Sequence, residues 1–467
     1  MGGGELYLPL IASFSAFMLA SILLGEVARR RGALRSVEEY YLGGRTLSKI
    51  HFFFTYFATT YSAFMFVGLV GFTYLYGVGT LGFELIYLMG TAALLSLLAP
   101  RILEKARSLK LITPTQIIYA ENGSRAARYI VSLTYLGFMI PYMSVQIIGP
   151  AVVLSFLGLP REIAILATLV TVFIYVFYGG LRGVMYTDIL QGSFFLTIAF
   201  LFAAYLAPGL ASSQPQLHTL PGGFGYWSLE RFVSLTLPWI FFSITNPQVL
   251  QRIYMARDRS ELSRGVLMFL IAGFTLTLLM VIAGLGASGI VRVDLRDPNQ
   301  ITPYLMVNVL PKWMALALAL AVWAAALSTL DSILLTLSSV ISVDILGRAS
   351  VRVGRYSVLG IILALGIFSY YTVAPVVILA VASSAALLYL VPIIMLTLFE
   401  KPSGKEVSLL TLTGFITYII LFTLRNTAYP HSLDYASISS LLITSIIALI
   451  IYARKKRKAI NAPHHTT

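Results

Sequence analysis

Cysteine is absent from the 467-residue chain, which excludes disulfides, thiolate metal sites and thiol catalysis. Charge is scarce. Asp, Glu, Lys and Arg make up 11% of residues against 58% hydrophobic ones, too little polarity to wet the surface of a water-soluble protein of this length. Long polar stretches are missing too: the longest run to about 20 residues, so no soluble enzymatic or signalling domain is expected beside the apolar bulk. Of the five histidines, His51 stands at a segment boundary and the others lie in loops or the tail. No apolar segment presents paired acids, a His-Glu zinc pattern or a serine beside a histidine, so an active site at membrane depth has no residues to build it.

What is present is one apolar segment after another. Stretches of about 17–25 mainly apolar residues cross a hydrocarbon core of about 30 Å. Thirteen such spans are found: 6–27, 51–77, 81–100, 128–157, 162–178, 190–208, 229–246, 265–289, 312–345, 356–373, 376–399, 407–424 and 436–453. The expected fold is an all-α membrane protein of thirteen transmembrane helices in a single transporter-like domain over 1–467. The first span, from Leu6 to Leu24, lacks a basic leading region and a cleavage site, and is read as a retained helix. A net charge of +14 would suit nucleic acid, but 27 of the 33 Lys and Arg fall in alternate loops on one side, against Arg161, Arg231, Arg292, Arg296, Lys312 and Arg425 on the other. That asymmetry obeys the positive-inside rule, with a cytoplasmic basic side, an outer N-terminus and an inner C-terminus in the cell membrane. The bilayer, not nucleic acid, is the expected partner, and Arg454–Lys458 also suits anionic headgroups.

Two spans carry the punctuation of helices that break inside a membrane. Span 2 holds Phe57-Ala-Thr-Thr-Tyr-Ser-Ala63 between apolar halves, and span 7 holds Leu237-Pro-Trp239 in mid-span with Asn246-Pro247 near its inner end. Ordinary kinks or packing contacts explain each alone. Taken together as the openings of two five-helix units, spans 2–6 and 7–11, they give a 5+5 inverted repeat, because an odd number of helices makes the units enter the membrane from opposite sides. The chain then divides into 1–50 with the peripheral first helix, 51–208 and 229–399 as repeats, and 400–467 with two helices and a basic tail. The outer loops 209–228 and 290–311 read as solvated caps.

Span 9 is dense in hydroxyls: Ser328, Ser332, Thr336 and Ser339 share one helical face. Such a stripe serves helix contacts as readily as chemistry. The adjacent Ser328 and Thr329 beside small Ala325 offer a second use, as oxygen ligands for a hard cation, completed by carbonyls that a break at Ala58 and Tyr61 would free. Spacing alone does not pair the two helices.

Four segments carry a resemblance: Tyr41-Leu-Gly-Gly-Arg45, Gly179-Gly-Leu-Arg-Gly-Val-Met-Tyr-Thr-Asp-Ile-Leu-Gln191, Asn246-Pro-Gln-Val-Leu-Gln-Arg252, and Ala325-Ala-Leu-Ser-Thr-Leu-Asp-Ser332 with Asp344. In this order the chain resembles the sodium:solute symporter family, which implies thirteen helices around a leucine-transporter-type core. The resemblance implies a sodium site of the Ala58, Tyr61 and Ala325 carbonyls with the Ser328 and Thr329 hydroxyls, and a monomeric functional unit working by alternating access. It implies solute contacts at Glu84, Gln146, Trp239 and Ser243, with Thr60 in the broken segment where some relatives have aspartate. Each has a bland reading: Glu84 a solvated rim charge, Gln146 an interhelical amide, Trp239 core or an interfacial anchor. Asp331 and Asp344 read as lining an inner path or pairing with loop arginines, and Asp188 as a cap of span 6 or an arginine partner.

The expected activity is sodium-coupled import of a small polar organic solute. Glu84 with Trp239 fits a proline-like amino acid or a sugar, and no Arg or Lys is expected in the core helices to pair a carboxylate. Against that, Phe64-Met-Phe-Val-Gly68 and Ser144-Val-Gln-Ile-Ile-Gly149 resemble the family's pantothenate and monocarboxylate carriers. Proton coupling, a sensor and a channel are the remaining alternatives.

Overall fold

The computed structural model describes residues 3–31, 36–213, 226–372, 376–428 and 435–460. Among them the fold is helical: α1 (Gly3–Arg31), α2 (Val37–Leu42), α3 (Lys49–Thr60), α4 (Val70–Tyr76), α5 (Gly79–Ser108), α6 (Gln116–Tyr119), α7 (Arg125–Phe156) and α8 (Arg161–Leu206) come first. Then follow α9 (Leu229–Ile240), α10 (Phe242–Thr245), α11 (Pro247–Met255), α12 (Arg259–Ile290), α13 (Pro298–Asn308), α14 (Lys312–Ser339) and α15 (Val351–Tyr371). The series ends with α16 (Val376–Ala385), α17 (Leu390–Phe399), α18 (Gly404–Ala428) and α19 (Tyr435–Ile460). Nine helices among the described residues are long and apolar enough to cross a membrane, and up to eleven when each of two bent pairs counts as one.

One bent pair is the expected break of span 2. Lys49–Thr60 and Phe64–Tyr76 meet at 51°. The sequence supplies its own substitutes for the lost ladder: Thr60 Oγ1 donates to the Tyr56 carbonyl at 2.7 Å, and Ser62 Oγ accepts from the Phe64 N–H at 3.2 Å. Short hydroxylated side chains compete with helical bonds in this way, so the chain leaves the helix at Tyr61 and Ser62 without stranding every backbone group. The second bent pair, Leu379–Ala385 with Leu390–Phe399 at 47°, was not expected. Its sequence has no proline until Pro392, but Ser383 and Ser384 stand just before the bend, and Ser383 Oγ donates to the Leu379 carbonyl at 2.8 Å, as Thr60 does to Tyr56 in span 2.

Span 7 breaks elsewhere than at Pro238. α9 runs through that proline to Ile240, and the helical path is lost at Phe241 (φ −92°, ψ 2°) and again at Asn246 (φ −76°, ψ 123°). Proline only removes one N–H from the ladder, whereas Pro247 at the start of α11 fixes the φ of a new helix and leaves Asn246 extended before it.

Two expected loops are helix. Residues 179–189 form no connection on the surface: the only non-helical residue between Arg161 and Leu206 is Gly180 (φ 54°, ψ −155°), where a Cβ would lie 2.7 Å from the Tyr40 ring. Left-handed φ and ring contact both require glycine there. In 290–311, α13 is no solvated cap, since Pro298, Asn299, Ile301 and Thr302 are buried against the second half of span 2. Thr302 Oγ1 donates to the Phe66 carbonyl at 2.5 Å, and the Pro298 carbonyl sits where a Cβ on Gly71 would be 2.0 Å away. Most of the other outer loop, 209–228, and the tail beyond Ile460 lie outside the described residues.

Candidate cation and solute site

α14 is buried from Ala324 through Ser339, and its hydroxyl face looks onto α3 and α11. Ser328 Oγ donates to the carbonyls of Ala58 at 2.9 Å and Ala325 at 3.1 Å. Thr329 Oγ1 stands 3.3 Å from each of the same two oxygens. Two carbonyls and two hydroxyls thus converge one turn before α3 ends. The fifth expected member, Tyr61, is non-helical (φ −92°, ψ 110°), so its carbonyl leaves the ladder, while its N–H stays bonded to Phe57 at 2.9 Å. Tyr61 makes no hydrogen bond to the other four among the described residues.

The donor set fits a hard monovalent cation. It is all oxygen and uncharged, and the hydroxyls can rotate their lone pairs inward while the carbonyls keep theirs. Lower on the same face the stripe is used for packing: Thr336 Oγ1 donates to Gln251 Oε1 at 2.7 Å, and Ser339 Oγ accepts from Gln251 Nε2 at 3.3 Å. The packing reading of the stripe therefore holds at this height, and the four oxygens above it are the part that remains available for a cation.

Immediately below the four oxygens lies a buried charge cluster. Ser332 Oγ is 2.7 Å from Thr59 Oγ1 and 3.1 Å from Asp331 Oδ1, and accepts from the Arg252 guanidinium. Asp331 also accepts from the Tyr175 hydroxyl at 2.8 Å, and Asp188 from Thr55 at 2.6 Å. Arg252, Asp188 and Asp331 are each fully buried. This corrects two expectations: Arg252 is a core cation, not a loop charge, and Asp188 lies within α8 instead of capping a helix. The Asn246–Arg252 segment reads as a polar loop because its periodicity is short, yet α11 tucks all nine of its residues inside. Asp344 accepts from Tyr119 at 2.5 Å, and Arg128 binds the Asp344 backbone carbonyl in place of its carboxylate.

On the other side of the break a cavity of about 20 Å³ is lined by Thr60, Tyr61, Ser62, Phe64, Met65, Glu84, Tyr87, Tyr142, Trp239 and Phe242. That is room for about one water, so an organic solute requires the lining to part. Glu84 is 3% exposed, which removes the rim-charge reading, and no ion pair involves it among the described residues. Trp239 packs edge-on to Phe64, with ring centroids 5.8 Å apart, and tilts against Phe242 at 5.1 Å. Three of the expected solute contacts, Thr60, Glu84 and Trp239, thus meet in one place. Gln146 and Ser243 are buried but do not line it.

Three lining residues carry polar atoms without partners. Trp239 Nε1 and the hydroxyls of Tyr61 and Tyr87 are buried with no hydrogen-bond partner among the described residues, as are Ser243 Oγ and both amide atoms of Gln146 outside the lining. Buried polar groups are nearly always satisfied, and each orphan costs about 1–3 kcal/mol. Of the lining residues missed in the sequence, Tyr87 was findable: it lies three residues beyond the expected Glu84, on the same face of α5. Tyr142, four residues before Gln146, has the same signal.

Known proteins bear on this geometry. Residues 40–402 match the sodium:solute symporter family. The chain is 27% identical over 470 residues to the sodium/pantothenate symporter of Escherichia coli, covering 96% of each. It is 27% identical over 221 residues to the sodium/proline symporter of the same organism, covering 46% of this chain and 41% of that one. In fold it is similar to a Na+-coupled sialic acid symporter solved in a substrate-bound outward-open state, with TM-score 0.79 at 17% identity, covering 94% of this chain and 96% of that one. With the match running through most of its helices, the chain is a multi-pass transport protein that belongs to the sodium:solute symporter family.

Proposed function

We propose that this chain imports a small polar organic solute together with sodium by alternating access. Sodium, the family's coupling ion, is placed at the Ala58, Tyr61 and Ala325 carbonyls and the Ser328 and Thr329 hydroxyls. The solute is placed between α3, α5 and the α9–α10 break, against Thr60, Glu84 and Trp239, with Gln146 and Ser243 joining as the lining parts. The observation that carries this reading is that three lining residues, Tyr61, Tyr87 and Trp239, hold unpartnered buried polar atoms in a cavity bordered by the same broken helix that supplies the proposed cation ligands. A solute would satisfy those groups, and closing over it would bring the two halves of the broken helices together.

Counting α8 as two spans about Gly180, and α9 with α10 as one, gives the thirteen spans of the reading, with 51–208 and 229–399 as inverted repeats. The basic side is taken as cytoplasmic, which puts the N-terminus outside.

The cavity favours a solute with a cationic or hydroxylated head and a compact apolar body, of the amino-acid type. Its one carboxylate, Glu84, has no cation beside it among the lining residues, and the rest is aromatic, hydroxylic or methionine. A second reading, a pantothenate-like hydroxy acid, is favoured by the similarity to the sodium/pantothenate symporter over nearly the whole chain. Hydroxyls of such a solute would donate to Glu84.

The test is thermal stability of the purified protein against a panel of proline, other small amino acids, sugars, pantothenate and short monocarboxylates, in sodium and in choline. A ligand stabilises only the state it binds, so a solute should raise Tm in sodium and little in choline. Equal shifts in both salts would rule out sodium coupling, and a proton gradient would then be tested.

A further inference from the structure

α17 and α19 leave a groove between them, separate from the solute cavity. It encloses about 530 Å³ and is lined by apolar side chains, among them Val391, Met395, Phe399, Leu442 and Leu449, with Phe241 of the α9–α10 break at its inner wall. Leu442 and Leu449 are 55% and 65% exposed, as residues that meet hydrocarbon are. At the end of α17 the groove runs into a second cavity of about 760 Å³ with the opposite character. The two share Phe399 and Glu400.

The second cavity carries four cations, Arg101, Lys105, Lys401 and Lys455, and three acids, Glu104, Glu121 and Glu400. Most of the acids are taken: Glu104 by Arg259 at 2.5 Å, and Glu121 by Lys105 at 2.7 Å and Lys401 at 3.4 Å. Lys455 is 3.7 Å from Glu406, outside the cavity lining. Arg101 has no ion pair among the described residues. Its guanidinium lies 4.3 Å above the Phe399 ring, which is the ring at which groove and cavity join. The Lys401 side chain, though paired with Glu121 at 3.4 Å, is 87% exposed, so its ammonium also faces outward.

An apolar trough that ends at a stacked, unpaired arginine and an exposed lysine has the layout of a double-natured molecule: tails along α17 and α19, a phosphate at the mouth. We infer that this is a binding site for an anionic glycerophospholipid, with acyl chains against Met395, Leu442 and Leu449 and the phosphate held by Arg101 and Lys401. Charge complementarity selects the anionic class, because the four cations of the cavity outnumber its three acids and Lys456 acts on Glu400, the acid that would otherwise draw the amine of a zwitterionic headgroup. The site adjoins both helices that bend: Phe241 is the break residue of α9–α10, and Val391 follows the bend between α16 and α17. A lipid seated here therefore bears on the elements proposed to move.

The experiment is native mass spectrometry of the full-length detergent-purified protein after exchange into phosphatidylglycerol, phosphatidylethanolamine or phosphatidylcholine, with glycerol phosphate and inorganic phosphate as headgroup-only arms. Phosphatidylglycerol should be retained at least about fivefold more than either zwitterionic lipid, and R101Q/K401Q should remove that preference. Both positions are at the surface, so folding is expected to survive; S445W, which fills the groove from a partly exposed position, is the independent variant and should displace lipid with the cations intact. Equal retention of all three lipids, a preference for phosphatidylethanolamine, or unchanged retention in both variants would overturn the inference. So would stabilisation by glycerol phosphate or phosphate as large as that by phosphatidylglycerol, which would make this an anion site without tails.

Discussion

Four oxygens from two helices lie within hydrogen-bonding distance of one another, and two of them belong to adjacent side chains that a double substitution removes together. S328A/T329A should raise the sodium concentration for half-maximal uptake at least about tenfold, since ligand loss worth about 1.4 kcal/mol has that effect. A well-folded double variant with unaltered sodium dependence would move the ion elsewhere. Glu84 tests the solute half independently: E84Q should weaken solute binding in calorimetric titration and leave sodium binding nearly intact, because none of the ion's proposed ligands comes from α5. Trp239→Phe should cost less than Trp239→Ala, as it keeps much of the flat apolar surface. If E84Q binds the amino-acid-type solute as well as the parent, the pantothenate-like reading gains. Arg252 is a third case. Arg252 donates to Ser332 and is the buried cation whose charge acts on both Asp188 and Asp331, so removing it leaves two buried carboxylates uncompensated. R252Q should therefore lower Tm sharply, and R252Q/D331N should recover part of it. These residues differ in how readable they were. Ser328 and Thr329 stand out as adjacent hydroxyls in an apolar span, whereas Arg252 follows a proline and three polar side chains and looks like a loop until α11 is seen folded inward.

Helices show the same division. Long apolar runs locate themselves, since about 20 such residues have few alternatives to crossing a bilayer. Breaks are harder. The one in span 2 was legible because hydroxyls flank it, and Asn246-Pro247 marked one interruption of span 7, while Pro238 drew attention from the other at Phe241, and the Ser383-Ser384 pair before the bend after α16 was not read as a break. α13 was misread for a related reason: its Pro, Asn and Asp resemble a solvated loop, and only the contact with α4 shows otherwise. That contact gives a prediction. The Gly71–Pro298 seam leaves no space for a Cβ, so G71A should push α13 off α4 and open the cavity on that side. With no native cysteine to interfere, a cysteine at Thr60 should then react faster with an impermeant thiol reagent added outside intact cells than it does with Gly71 present. Equal rates would mean that α13 does not cover the cavity.

For the whole molecule, the distribution of basic residues makes a claim that the coordinates alone leave neutral, namely which end faces the cytoplasm. A cysteine at Ser212 should be labelled from outside and one at Ser403 should not; the reverse pattern would invert the assignment and the direction of sodium entry with it. The all-helical membrane class was legible, because composition is enough to dictate helices in lipid. The pairing of α3 with α14, and the choice of which polar residues share a cavity, were not, because both depend on how distant helices pack. The turn at Gly180 is a case in point. Where a loop was expected, the chain passes from one long helix into the next through a single residue clamped by Tyr40. A slack connection would absorb the tilt of either arm; this one forms a rigid bracket, so a lean in Arg161–Gly179 is delivered as leverage to the arm that carries Asp188 and Gln191 beneath the cation site.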